Sequence, residues 1–354
     1  MSDKPVLPCT AVLRHVTDVH CHPTDSPLVL TDDELHRLEI TICPMATRIA
    51  DQSQVRDLAR AHPKNVVPCF GHHPWFSHHI SVDGRTAKEA HYRQLFSPKA
   101  EQEEIFERLL ALLPEPTPLE QILSTLRNDL QTFPNAMLGE VGIDRTFRVA
   151  MDYFANPRQL TPFTIPLEHQ LTVLEAQIDL AVELGRNISL HSVKTQQVTM
   201  ELINRMAKKH GERWTNISLD MHSCGLSPQT WLQLEKAHPN VFLSLSTAIN
   251  GRSPNLKKLI ATCAPERILV ESDLDDIRLC TERTWAMVLI IAEVKGWAVE
   301  KEWADDVPIS DSGVVRRLEG NWKGFQRGRH KHAVKQNRAA RKADEDFHSE
   351  GSEE

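Results

Sequence analysis

The sequence predicts an α/β protein folded as a (β/α)8 TIM barrel, and three observations carry that expectation. Eight short apolar, β-branched runs occur, at 15–20, 38–43, 66–70, 136–143, 187–191, 216–222, 241–246 and 268–273. Runs that are apolar throughout, rather than alternating, belong to strands buried on both faces, as in a parallel sheet covered by helices. Most runs are separated by segments of helical periodicity, at 51–61, 167–184, 195–209, 228–237 and 254–263. Five runs end in a side chain able to bind a metal, and the carboxyl ends of barrel strands are where this fold builds its active site. Eight strand–helix units favour closure into a barrel over an open, doubly wound sheet.

The first run ends in Asp18-Val19-His20-Cys21-His22. Alternate residues of a strand share a face, so His20 and His22 point together into the barrel mouth and Cys21 points away, toward the helices. The second and third runs are followed by the helical stretch 51–61 and by Gly71-His72-His73-Pro74-Trp75. About sixty-five residues, 72–135, then break the rhythm. They contain Pro114, Pro116 and Pro118 and helical patterns near 99–113 and 118–132, which reads as an elaborated connection after strand three.

The fourth run ends in Gly139-Glu140-Val141-Gly142-Ile143-Asp144. A carboxylate among small and apolar residues needs a cation or strong donors, and its two oxygens allow it to bridge two metals; a salt bridge to an Arg such as Arg145 is the competing explanation. A second irregular segment, 146–166, is aromatic and Pro-containing, and both excursions are expected over the mouth of the barrel. His191 closes the fifth run, His222 the sixth and Asp273 the eighth. Helical stretches at 281–295 and 311–326 follow, the latter with Val314, Val315, Leu318 and Trp322 at helical spacing.

The expected organisation is an N-terminal extension at 1–13, a barrel at 14–326 and a disordered charged tail at 327–354. Residues 323–342 hold eight Lys/Arg and no acid, whereas 343–354 hold six acids and no Lys/Arg. Without 323–354 the chain counts 33 basic and 42 acidic residues, a net −9 against −7 for the whole. Such a body does not attract nucleic acid over its full surface, so a nucleic-acid substrate would need local cations, which bound metals supply. Seven cysteines without a CxxC pair suit a reducing compartment, cytoplasm or nucleus. The start lacks a signal-peptide core, and the most apolar later stretch, 285–294, is too short to span a bilayer.

The ordered motifs DVHCH, GHHP, GEVGID, SLHS, DMHS and ESD resemble the TatD family of metal-dependent deoxyribonucleases, over about 15–325. GEVGIDRTFR and the later Asn321-Trp322-Lys323-Gly324-Phe325 are similar to a fungal branch of that family, some of whose members are described as interactors of a cell-division protein. The resemblance implies two divalent cations (Zn, Mg or Mn), with His20, His22 and Asp273 at the first, His191 and His222 at the second, and Glu140 bridging. It implies that Asp273 and Glu140 serve catalysis and that His73 meets the substrate phosphate, with His72 a passenger; Trp75, beside His73, is a stacking candidate for a base. The implied reaction is hydrolysis of a phosphodiester, exonuclease-like on DNA. In place of the small residue and Pro that commonly follow ESD in the family, Leu274-Asp275-Asp276 follow here, acids expected to repel a phosphate or to bind something else. Two other functions are carried forward. One is a related barrel hydrolase acting on a non-nucleic-acid substrate, disfavoured because no Lys lies in 136–144 to bridge the metals as a carbamate. The other is an interaction protein with a vestigial site, meeting a partner through the excursions or the tail.

Overall fold

The computed structural model describes residues 5–26, 34–35, 37–84, 87–304, 308 and 312–331. Eight parallel strands form the barrel wall: β1 (Thr17–Cys21), β2 (Thr41–Pro44), β3 (Cys69–Phe70), β6 (Met137–Asp144), β7 (Ile188–Val193), β8 (Leu219–Met221), β9 (Val241–Leu245) and β10 (Ile268–Val270). One ladder runs β3-β6-β7-β8-β9-β10 and another joins β1 to β2. Bridges Ile42–Val66 and Met45–Cys69 link the second strand to the third. At the last seam, Asp273 N donates to His20 O at 3.0 Å and His22 N to Leu274 O at 2.8 Å. These two bonds join the segment just past β10 to the end of β1, where three of the expected ligands lie.

Helices α2 (Gln52–Ala61), α6 (Leu167–Leu184), α7 (Gln196–His210) with the one-turn α8 (Glu212–Thr215), α9 (Pro228–Ala237), α10 (Leu256–Thr262) and α11 (Ile277–Lys295) accompany the barrel strands. Pro228 occupies the first turn of α9 and Ser227 caps it, accepting from Thr230 N. Gly185 and Gly296 end α6 and α11 with φ of 66° and 67°, the left-handed conformation that stops a helix. Helix α12 (Val314–Arg327) covers the amino-terminal end of the barrel. Asn321 Nδ2 donates to Ile268 O at 2.9 Å, and the Phe325 carbonyl accepts from Asn187 Nδ2 at 2.9 Å and Ser218 Oγ at 2.6 Å.

The excursion after β3 is more ordered than its prolines imply. It contains a 3-10 helix at Pro74–His79, α3 (Lys88–Phe96), α4 (Glu103–Leu112), α5 (Leu119–Thr132) and a small parallel pair, β4 (Ile80–Ser81) with β5 (Thr117–Pro118). Tyr92, Phe106, Leu109 and Leu113 from it share an apolar cluster with Val149, Phe163 and Ile165 from the second excursion. The two insertions thus support one another. Val12 and Leu13, in α1 (Thr10–Leu13), are fully buried in the main core. Among the described residues no helix is long and apolar enough to cross a membrane.

Past α12 the chain is pinned as far as His330. Its N–H donates to Thr215 O at 2.8 Å, its Nε2 lies 2.7 Å from Ser218 Oγ, and its ring meets Phe242. Burial, with Arg267 and Arg327 nearby, lowers its pKa to about 4. A histidine whose folded pKa is lowered stabilises its contacts above the unfolded pKa, about 6.5, and that stability is lost as pH falls toward 4. Hydrogen-exchange protection at Arg329 and His330 is expected to drop over this window in the native chain and to lose the step in His330→Gln. Most of the charged tail, 332–354, lies outside the described residues.

Candidate metal centre

Strand β1 places the first pair of imidazoles. Val19 shares an apolar cluster with Phe242, Leu269 and Trp322, and Cys21 lies near Cys280 of α11; between them the fully buried His20 turns to the facing strands, its Nδ1 on Ser189 Oγ. His22 follows the strand end on the same side. Their Nε2 atoms are 3.1 Å apart, and each faces Glu140 Oε2, at 3.5 Å from His20 and 3.3 Å from His22. Asp273 Oδ1 is 3.3 Å from His22 Nε2 and 3.9 Å from His20 Nε2.

The other Glu140 oxygen meets the remaining histidines. Oε1 lies 2.7 Å from His191 Nδ1, 2.8 Å from His222 Nε2 and 3.2 Å from His73 Nε2. His191 Nδ1 and His222 Nε2 are themselves 3.2 Å apart. All six expected ligands therefore converge, with one oxygen of a single buried carboxylate turned to each group. Glu140 stands in the middle of β6, four residues before its end, and its N–H donates to Ala46 O at 3.1 Å.

The electrostatics call for positive charge here. Burial opposes ionisation of Glu140, yet His73, His222, His20 and His191 hold its carboxyl well below the usual range. Asp273 is likewise held low against burial, by His22, His222 and His20. Burial also opposes charge on His222, but the Glu140 carboxylate and its neighbours raise that pKa well above normal. Imidazole nitrogens paired about 3 Å apart across a shared carboxylate are the donor set that borderline divalent cations take, so these residues fit such ions.

Outer contacts fix the ring orientations. His20 Nδ1 is 2.7 Å from Ser189 Oγ, which leaves Nε2 for the centre. His191 turns Nε2 to Asp144 Oδ2 at 3.5 Å, leaving Nδ1 inward. His73 accepts from Trp75 N through Nδ1 at 3.2 Å, so its proton sits on Nε2, and burial lowers its pKa to about 4. Ser223 and Asp273 hold left-handed backbone, φ 40° and 55°, in residues that rarely adopt it. Strain of this kind gathers where a site over-determines the chain. Ser223 Oγ lies 2.5 Å from Glu271 Oε1 and 3.0 Å from Asp273 Oδ2, so its one proton is shared between the two carboxylates.

Residues 17–304 match the family described as TatD related DNase. The chain belongs to that family. It is 29% identical over 331 residues to the Cut9-interacting protein scn1 of Schizosaccharomyces pombe, covering 81% of this chain and 95% of the relative. It is 30% identical over 275 residues to an uncharacterized deoxyribonuclease of Saccharomyces cerevisiae, covering 74% and 84%. Two solved structures share the fold. A TatD homolog from Escherichia coli K12 superposes with TM-score 0.56 at 16% identity, covering 88% of this chain and 98% of its own. An uncharacterized amidohydrolase from Saccharomyces cerevisiae gives 0.58 at 11%, covering 88% and 99%.

Within this TatD-related chain, His72 lies outside the cluster, its N–H bonded to Gln177 Oε1. Trp75 reaches the site's rim, but one face stacks on Phe147 at 5.1 Å and its Nε1 donates to Asp144 Oδ2 at 2.7 Å. Of the acids after ESD, Asp276 caps α11 and pairs with Arg278 at 2.7 Å, so its charge is compensated; Asp275 lines the pocket. Arg145 does not pair with Glu140 in the described contacts, whose partners are histidines.

Asp144 and Glu271 carry supporting roles that the sequence left unassigned. Their signal was a second acid in GEVGID and the first in ESD. Asp144 Oδ1 also accepts from Thr146 N at 2.7 Å and Thr146 Oγ1 at 2.8 Å, starting the second excursion. Asp144→Ala is expected to weaken metal affinity by about 10–100-fold, the usual cost of removing a partner behind a ligating histidine, as read by metal titration.

Proposed function

We propose that the protein is a divalent-metal-dependent phosphodiesterase that hydrolyses DNA from an end, exonuclease-like, through a metal-activated water. The observation that carries this reading is the Glu140 carboxylate with one oxygen toward His20 and His22, whose nitrogens Asp273 also faces, and the other toward His191 and His222. These six side chains would hold two cations. Bound cations of this kind polarise a phosphoryl group and lower the pKa of water toward neutrality. Asp273, oriented by Ser223, accepts the proton of the attacking water. His73, neutral with its proton on Nε2 and now facing Glu140 Oε1 at 3.2 Å, would donate that proton's hydrogen bond to a phosphate oxygen once cations take up the carboxylate. Membership of the TatD-related family supports nucleic acid as the substrate. Free cysteines, six of seven buried, agree with a cytoplasmic or nuclear location.

Chelated protein is expected to lose cleavage of single-stranded DNA and to regain it with Mg, Mn or Zn. A chelated sample that cuts at the untreated rate overturns the reading.

A second role is supported by the name of the fission-yeast relative, an interactor of Cut9, over 331 aligned residues. The joined excursions offer a partner surface, with Val82, Leu112 and Leu160 about half or more exposed. Val82→Asp with Leu112→Asp is expected to abolish partner capture while metal content persists. Capture lost only with the metals would refute this surface.

A further inference from the structure

The mouth of the barrel opens into a pocket of about 700 Å³, and the second excursion supplies much of its outer wall, including Tyr153, Phe154 and Arg158. Phe154 is 55% exposed and Ile249, in the same lining, 58%. Single exposed apolar side chains are ordinary on protein surfaces, but two on the rim of the one pocket that holds the candidate metal centre offer apolar contact to whatever enters it. Phe154 is held rather than loose: its N–H donates to Asp152 Oδ1 at 2.8 Å, its ring meets Tyr153 edge-on at 5.0 Å, and the Arg48 guanidinium lies 4.8 Å from its centroid.

Charge marks the same wall. The lining includes Asp25, Glu140, Asp144, Asp273 and Asp275, and its one Lys or Arg among the described residues is Arg158. That guanidinium lies 4.1 Å over the Tyr153 ring, and no described carboxylate pairs with it. A cation stacked on an aromatic and left without an anion, in a chain of net charge −7, is poised for an anionic ligand.

We propose that this excursion grips a single-stranded DNA end next to the reacting phosphodiester, with Phe154 stacking on a base and Arg158 pairing with a neighbouring, non-scissile phosphate. Phe154 and Arg158 both flank the Tyr153 ring, at 5.0 and 4.1 Å, so an open aromatic and a cation stand one ring apart, as base and phosphate alternate along a polynucleotide. The grip presupposes the hydrolase reading above only for what happens to the strand once held.

The test uses metal-loaded full-length protein with dT10 and with a ten-residue abasic phosphodiester. The native chain should prefer dT10 by about tenfold in kcat/KM, the effect of one base–aromatic stack. Phe154→Ala should remove that preference and Phe154→Trp should keep it. Arg158→Ala should reduce the slope of log affinity against log salt by about 0.7, one single-strand phosphate, while Arg158→Lys retains it. A preference surviving in Phe154→Ala, or a slope unmoved in Arg158→Ala, overturns the grip. Binding of a nuclease-resistant phosphorothioate dT10 separates the two readings. Binding that depends on Phe154 and Arg158 without cleavage of dT10 keeps the grip and removes the hydrolase. Cleavage without that dependence does the reverse, and neither binding nor cleavage overturns both.

Discussion

Glu140→Ala is expected to release both cations and to lower kcat/KM on DNA by about 10³-fold or more, because it removes the one group that faces both sets of histidines. Metal assistance contributes several kcal/mol of transition-state stabilisation, and each 1.4 kcal/mol is about tenfold in rate. Glu140→Gln preserves shape but removes the charge and turns one acceptor oxygen into an NH2 donor, so it should follow the alanine variant in metal content. Elemental analysis and steady-state kinetics read both effects, and circular dichroism verifies the fold. A Glu140→Ala protein holding its metals would show that the imidazoles and Asp273 suffice without the bridge.

Gly142→Ala is the second large effect, although Gly142 touches no ligand atom through a side chain. An added Cβ would overlap the His191 carbonyl oxygen and stand 2.6 Å from His191 Cβ and 2.7 Å from its carbonyl carbon. These are backbone-anchored atoms of the adjacent strand, paired in register Gly142↔His191, and cannot swing aside. The substitution should cost about 3 kcal/mol or more in denaturant unfolding, at or above the upper end for overpacking. Through His191 it should also reduce metal affinity by about 10–100-fold. Native stability with native metal content would show that β6 and β7 separate freely, contrary to their close approach.

These two positions differ in how well a sequence exposes them. The barrel was legible because its strands are apolar on both faces and most ligands lie at or just past strand ends, as with His20, His222 and Asp273, whereas the β7 strand runs two residues beyond His191. The HxH alternation of β1 follows from strand geometry alone. Glu140 was legible as a misplaced charge in a small-residue run, but its mid-strand position depends on where neighbouring strands stop. Helix α3 was not read: KEAHYRQLF buries His91 and Tyr92, and its apolar face is too thin to announce itself. The β4–β5 pair is two residues long on each side and needs its partner to exist. Asp144, Glu271 and Ser223 act through tertiary contacts, with Trp75, His191, Ser244 and Asp273, that no local spacing encodes. Asp276 read as an uncompensated acid until Arg278, two residues on, supplied its partner.

Crystals grown with Mn and measured across its absorption edge test the central claim most directly. Two anomalous peaks are expected, one on each side of the Glu140 carboxylate, the first among His20, His22 and Asp273 and the second beside His191 and His222. No peak there, or density seated instead at the buried Asp18, Cys21 and Cys280 group, would contradict it.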